Sequence, residues 1–238
     1  MTSVDLYLYP TSKFQGLCER VLKKLISYST RYFDNYHFYS IINATIPIIS
    51  YYNITTMEIK NFEEIIKKHH GSSSGFSRHY LTLYSIVLGL ETKNAFEFGS
   101  GFSSKVILEA LKETGGKLTT NDARSIKETG NDPRDLEENK DRWTYLQSSS
   151  KEALEKMKSE VFDFVLHDGS HEWKVVKKDL QTIIPRMKKD GIILVHDTAH
   201  TNFKLNMAVK MALFWYKHEK VTLPYGYGLT IIRIKKNF

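Results

Sequence analysis

The chain has 238 residues, with 34 Lys and Arg against 27 Asp and Glu and a formal charge of +7. That length suits one domain of ordinary size with a buried core, and 41% apolar against 26% charged residues excludes a disordered chain. Its single Cys, Cys18, excludes both a disulfide framework within the chain and a Cys-rich zinc site. The basic surplus permits attraction to phosphates or acidic surfaces without selecting among them. No stretch approaches the roughly 20 apolar residues of a membrane span, and the opening residues lack the compact apolar block of a secretory signal. The expectation is a cytoplasmic protein with no membrane partner.

Met1 to about His70 reads as helical. Leu17, Val21, Leu22, Leu25 and Ile26 repeat at helical spacing, as do Ile59, Phe62, Ile65 and Ile66. Gly71-Ser72-Ser73-Ser74-Gly75 is a break, so residues 1–75 form a helical N-terminal extension and 76–238 the main domain. Beyond the break, Arg78–Leu90 reads as a helix, Asn94–Phe98 as a strand and Phe102–Glu113 as a helix stopped by Gly115-Gly116. Strands follow at Lys117–Asn121 and Trp143–Gln147, then a helix from Ser150 through Met157 and a strand at Phe162–His167. Glu172–Met187 reads as a helix, Gly191–His196 as a strand and Phe203–Lys217 as a helix. Lys220–Leu223 and Leu229–Ile234 form an antiparallel pair. Strands alternating with crossover helices predict an α/β fold with a doubly wound, mainly parallel sheet.

In such a sheet, ligands bind beyond the carboxyl ends of the strands. Glu97 precedes Gly99-Ser100-Gly101, where two glycines permit a tight turn and close approach to a ligand. Ser103 and Ser104 can cap the next helix. Ser104 stands where a dinucleotide fingerprint has its third Gly, and Glu97 can accept from an ammonium group, which a pyrophosphate does not offer. Asp122, at the end of the next strand, is placed to accept from ribose hydroxyls, or is a turn residue. Ser148, Ser149 and Ser150 contact an adenine edge or cap a helix.

Glu97-Phe98-Gly99-Ser100-Gly101, Asp122 and Phe162 to His171 together resemble the class I S-adenosylmethionine-dependent methyltransferases. Asp168-Gly169-Ser170-His171, Asp179-Leu180, Pro185, Gly191 and Val195-His196-Asp197 are similar to a branch of small-molecule O-methyltransferase-like proteins. The resemblance spans about Arg78 to Ile234. It implies a seven-stranded Rossmann-like sheet binding S-adenosylmethionine. Glu97, Gly99, Ser100, Gly101 and Ser103 would then lie on the methionine side. Asp122 would be at the ribose, Ser148 or Ser149 at the adenine, and Asp168 near the reacting end.

Beyond the fourth and fifth strands lie Asp168, His171, His196, Asp197 and His200. Methyl transfer to oxygen requires removal of the acceptor proton, which suits a histidine base, and His171 is the first choice, with Asp168 and His196 beside it. Alternatively, Asp168 and Asp197 would hold Mg²⁺, which favours carboxylates and acidifies an acceptor. The metal-dependent catechol-type relatives have Asn where this chain has Thr198, and certain sugar methyltransferases have paired acids where it has His196-Asp197. The acceptor is expected to be a small molecule of sugar or natural-product type. Methylation of nucleic acid or protein, or a nonenzymatic scaffold that kept the fold, are the alternatives. No basic-aromatic RNA module is present, so a nucleic-acid partner is not favoured. The N-terminal helices would cover the acceptor site or pair two copies of the chain.

Overall fold

The structure is a computed structural model that describes residues 75–199 and 203–235. The two expected N-terminal helices, the lid or homo-oligomer contact assigned to residues 1–75, and His200 lie outside the described residues. No helix among the described residues is long and apolar enough to cross a membrane.

Seven strands form one sheet in the order β3-β2-β1-β4-β5-β7-β6. They are β1 (Asn94–Phe98), β2 (Lys117–Asp122), β3 (Trp143–Gln147), β4 (Phe162–His167), β5 (Met187–His196), β6 (His218–Leu223) and β7 (Leu229–Ile234). The first five are parallel, and β7 runs antiparallel between β5 and β6. Among the described residues, α1 (Tyr80–Gly89) precedes β1, and five α-helices connect the strands: α2 (Phe102–Thr114), α3 (Pro133–Glu138), α4 (Ser150–Lys156), α5 (Trp173–Ile183) and α6 (Phe203–Leu213).

The alternation of side chains along each strand produces two cores, one per face. Phe96, Val165, Ile193 and Val195 pack with residues of α4, α5 and α6. Ala95, Phe164, Leu166 and Leu194 pack with residues of α1 and α2. Helices on both faces make the sheet doubly wound, as the sequence pattern predicts. The chain passes from β1 outward through β2 to β3 and then returns to β4 on the other side of β1. A crevice opens where the direction reverses.

Two departures from the sequence reading have local causes. The helix after β4 ends at Ile183 and passes through a 3₁₀ turn at Ile184–Arg186, because Pro185 cannot extend the α-helical ladder. The freed chain enters β5 at Met187, four residues before Gly191, and Met187 pairs with Phe162 across a register shift. Exposed Lys188 and Lys189 obscured the start of that strand. At the amino end of β4, Asp163 accepts from the backbone N–H groups of Lys93 and Asn94, both at 2.8 Å. That carboxylate joins β4 to the entrance of β1, at the sheet end opposite the crevice.

Candidate active site

β1 is followed by Gly99, whose φ is +82°. A Cβ there would lie 2.5 Å from the Asp168 carbonyl oxygen and 2.7 Å from Gly169 Cα. The loops after β1 and β4 therefore meet backbone to backbone, and only glycine fits. Gly101 differs from this expectation of a paired requirement. A Cβ at Gly101 would meet nothing within 4 Å, so one glycine of the Gly-x-Gly is dictated by space and the other is not.

Above these loops lies a cleft of ≈830 Å³. Gly99, Ser100, Asp122, Ser148, Ser149 and Asp168 line it, as do His171, His196 and Asp197. A smaller cavity of ≈120 Å³ adjoins it and is lined by Gly101 and Ser103 together with Phe76 and Tyr80. These residues lie together at one end of the sheet, whereas Glu97 is buried beneath them and His200 lies outside the described residues.

Glu97 lines neither cavity. It is fully buried, and its carboxylate accepts from Ser103 Oγ and Ser104 Oγ, each at 2.6 Å, and Thr120 Oγ1 at 2.9 Å. Burial pushes this carboxyl up to about 7, against the pull of those three hydroxyls. Glu97 stands one layer beneath the cleft floor and fixes the first turn of α2.

Asp122 closes β2 at the cleft wall. Its Oδ1 accepts from the Arg124 backbone N–H at 2.9 Å and Arg124 Nε at 3.0 Å. Its Oδ2 accepts from Ser100 N at 2.9 Å and Arg124 Nη2 at 2.8 Å. Burial opposes ionisation of Asp122, but the Arg124 bonds prevail and hold its carboxyl below the usual range. Asn121 donates to the Ser148 carbonyl at 2.6 Å, tying the ends of β2 and β3. Ser149 is the N-cap of α4, reciprocating with Glu152 in a capping box. Arg124, Asn121 and Asp179 are cleft residues that sequence reasoning missed. The signal for Asp179 was an acid on the apolar side of α5, where it is buried against His167 and Ser150.

At the other end of the cleft, His196 Nδ1 lies 2.9 Å from Asp168 Oδ1 and 3.4 Å from Asp197 Oδ2. Its Nε2 donates to the Gly226 carbonyl at 2.9 Å, since that oxygen can only accept. Burial would push His196 down, but the two carboxylates overcome it and hold the ring at about 10. The two carboxylates therefore favour the protonated form of His196. His171 Nε2 hydrogen-bonds Asp197 Oδ2, and its ring is 67% exposed to the cleft. Asp197 itself has a φ of +57°, a left-handed backbone costly for a non-glycine residue.

Asp168, His196 and Asp197 each present a ligand atom, all within 4.8 Å of one another. Two carboxylate oxygens and an imidazole nitrogen whose far N–H is held by a carbonyl form a donor set that fits a divalent cation. The same three atoms share a proton when Nδ1 is protonated.

Residues 96–198 match the family model described as a methyltransferase domain. No curated protein sequence matches the chain. By fold it is similar to an O-methyltransferase from Bacillus cereus solved in complex with SAH, at 14% identity and a TM-score of 0.55, over 82% of this chain and 100% of that one. It is also similar to the O-methyltransferase TomG from Streptomyces achromogenes, involved in tomaymycin synthesis and solved with SAM, at 12% identity and a TM-score of 0.54, over 73% and 90%. The N-methyltransferase NodS from Bradyrhizobium japonicum shares the fold at 11% identity and a TM-score of 0.51, over 70% and 99%. The match to a methyltransferase domain is confined to residues 96–198, and the solved methyltransferases share the chain's Rossmann-like fold.

Proposed function

We propose that this domain transfers a methyl group from S-adenosylmethionine to a hydroxyl oxygen of a small molecule. The observation that carries the reading is the single ≈830 Å³ cleft that joins Asp122 at one end to Asp168, His171 and Asp197 at the other. Its volume falls within the range of small-molecule sites. The relatives of known structure with SAH or SAM support the cofactor.

S-adenosylmethionine, when bound, supplies an electrophilic methyl on a sulfonium. Asp122 accepts from the ribose hydroxyls, and Ser148 and Ser149 flank the adenine. The Gly99-Ser100-Gly101 turn receives the methionine portion. Glu97 supports that portion from beneath, through Ser103 and Ser104. Asp197 accepts a hydrogen bond from the Nε2–H of His171, which leaves the ring's lone pair on Nδ1. That nitrogen accepts the proton leaving the acceptor hydroxyl. His196, whose two ring nitrogens are engaged by Asp168 and the Gly226 carbonyl, holds Asp168 and Asp197 in place beside His171. A divalent cation held by Asp168, Asp197 and His196 Nδ1 would instead acidify the acceptor hydroxyl. Both devices serve a hydroxyl, whose proton must leave, more than an amine, which attacks through an existing lone pair.

Calorimetry with S-adenosylmethionine and S-adenosylhomocysteine, with and without Mg²⁺, tests the cofactor. Transfer of labelled methyl to a panel of hydroxylated small molecules tests the reaction. If neither nucleoside binds, the reading fails.

A further inference from the structure

The carboxylate of Asp122 offers about four acceptor positions, and four N–H groups fill them. Two of these are backbone donors, from Ser100 and Arg124, one on each oxygen. The other two come from the Arg124 side chain, again one on each oxygen. The Arg124 main chain is anchored independently, because Tyr145 Oη donates to its carbonyl at 2.7 Å. Its side chain is 54% exposed and also reaches the Ser100 carbonyl at 3.2 Å, bridging the loops after β1 and β2. The guanidinium is thus the exchangeable partner and the backbone donors are the permanent ones.

We propose that Arg124 is a positioning residue of the nucleoside subsite whose guanidinium trades places with the ribose diol on Asp122. The proposal rests on the reading of Asp122 as the ribose acceptor. The trade is one for one. Release of Nε frees a position on Oδ1, release of Nη2 frees one on Oδ2, and two vicinal hydroxyls take them. No proton changes owner and Asp122 stays ionised. Until the diol arrives, Arg124 keeps the carboxylate aimed into the cleft. When the diol binds, that ion pair is given up, so Arg124 sets how tightly the nucleoside is held.

The test is the Arg124→Ala variant, titrated calorimetrically beside the wild-type chain with S-adenosylhomocysteine, adenosine and 2′,3′-dideoxyadenosine. An exposed pair of this kind predicts affinity for the first two rising by about two- to five-fold in the variant. Affinity for the dideoxynucleoside, which has no diol to exchange, stays as in the wild type. Weaker binding of S-adenosylhomocysteine, unchanged affinity, or an equal gain for all three nucleosides overturns the proposal. If thermal melting shows that the alanine chain does not fold, Arg124→Gln, which lacks the two-pronged fork, carries the same expectation. Failure of wild type and variant alike to bind S-adenosylhomocysteine or adenosine is a different result. It removes the cofactor reading and the proposal with it.

Discussion

Asp168 and His196 end adjacent parallel strands and face each other at 2.9 Å. The register of β4 and β5, which sets His167 beside Val195, places the next residue of each strand side by side above the sheet. An acid and a cation thus meet in the crevice through strand pairing alone, without a long loop to order.

That pair is expected to behave as a coupled unit. His196→Leu removes the cation between two carboxylates and is predicted to cost about 3–5 kcal/mol, the range for breaking a largely buried pair. Asp168→Leu combined with His196→Leu is predicted to cost less than the sum of the single changes. Urea unfolding of the four chains of this cycle measures both quantities, and strict additivity would contradict the coupling.

His171 is predicted to act on the acceptor and not on the cofactor. His171→Ala should lower turnover by about 10²–10⁴-fold, the usual contribution of a general base, while S-adenosylhomocysteine affinity is retained. A loss of affinity matching the loss of turnover would assign His171 to the cofactor subsite.

The two glycines after β1 are predicted to differ sharply. Gly99→Ala forces a left-handed alanine against the backbone of Asp168, at a cost of at least about 1–3 kcal/mol and with loss of cofactor binding. Gly101→Ala places its methyl in open space and is expected to fold with the stability of the wild-type chain. Thermal melting and nucleoside titration of both variants check the contrast.

Glu97 makes stability depend on pH. Its carboxyl is held at about 7 in the folded chain, against an ordinary value of 4.5. Between these values the unfolded chain has lost the proton and the folded chain keeps it. Stability therefore falls as pH rises from about 4.5 to about 7, by a total of about 3 kcal/mol. Glu97→Gln, which cannot ionise, should abolish this slope. The difference between the unfolding free energies of the two chains, followed across that range, isolates the contribution. A flat difference would show Glu97 ionised throughout.

Four of the strands were legible because each is a short, largely apolar run bounded by turn residues. Asn94–Phe98, Trp143–Gln147, Phe162–His167 and Leu229–Ile234 fall where periodicity puts them. The helix α3 was not, since Asp132 and Pro133 start it by local capping and no apolar stripe announces it. The same division holds in the site. Asp122, Asp168 and Asp197 are strand-end acids whose position follows from fold class. That Glu97 would turn inward to three hydroxyls, or that Arg124 would take up the whole outer face of Asp122, depends on side-chain direction, which sequence spacing does not encode.

The hairpin between β6 and β7 has an unusual tip. Gly226, Tyr227 and Gly228 have φ of +57°, +64° and +89° in succession. Both His79 Nε2 and His196 Nε2 donate to the Gly226 carbonyl, and a Cβ at Gly228 would sit 2.1 Å from Ala199 N. Hairpin tips are ordinarily where chains tolerate added residues. This one is riveted from below, so lengthening it would pull His196 away from Asp168 and Asp197. Variation at constant loop length is instead open to Tyr227, which is exposed and lines the cleft.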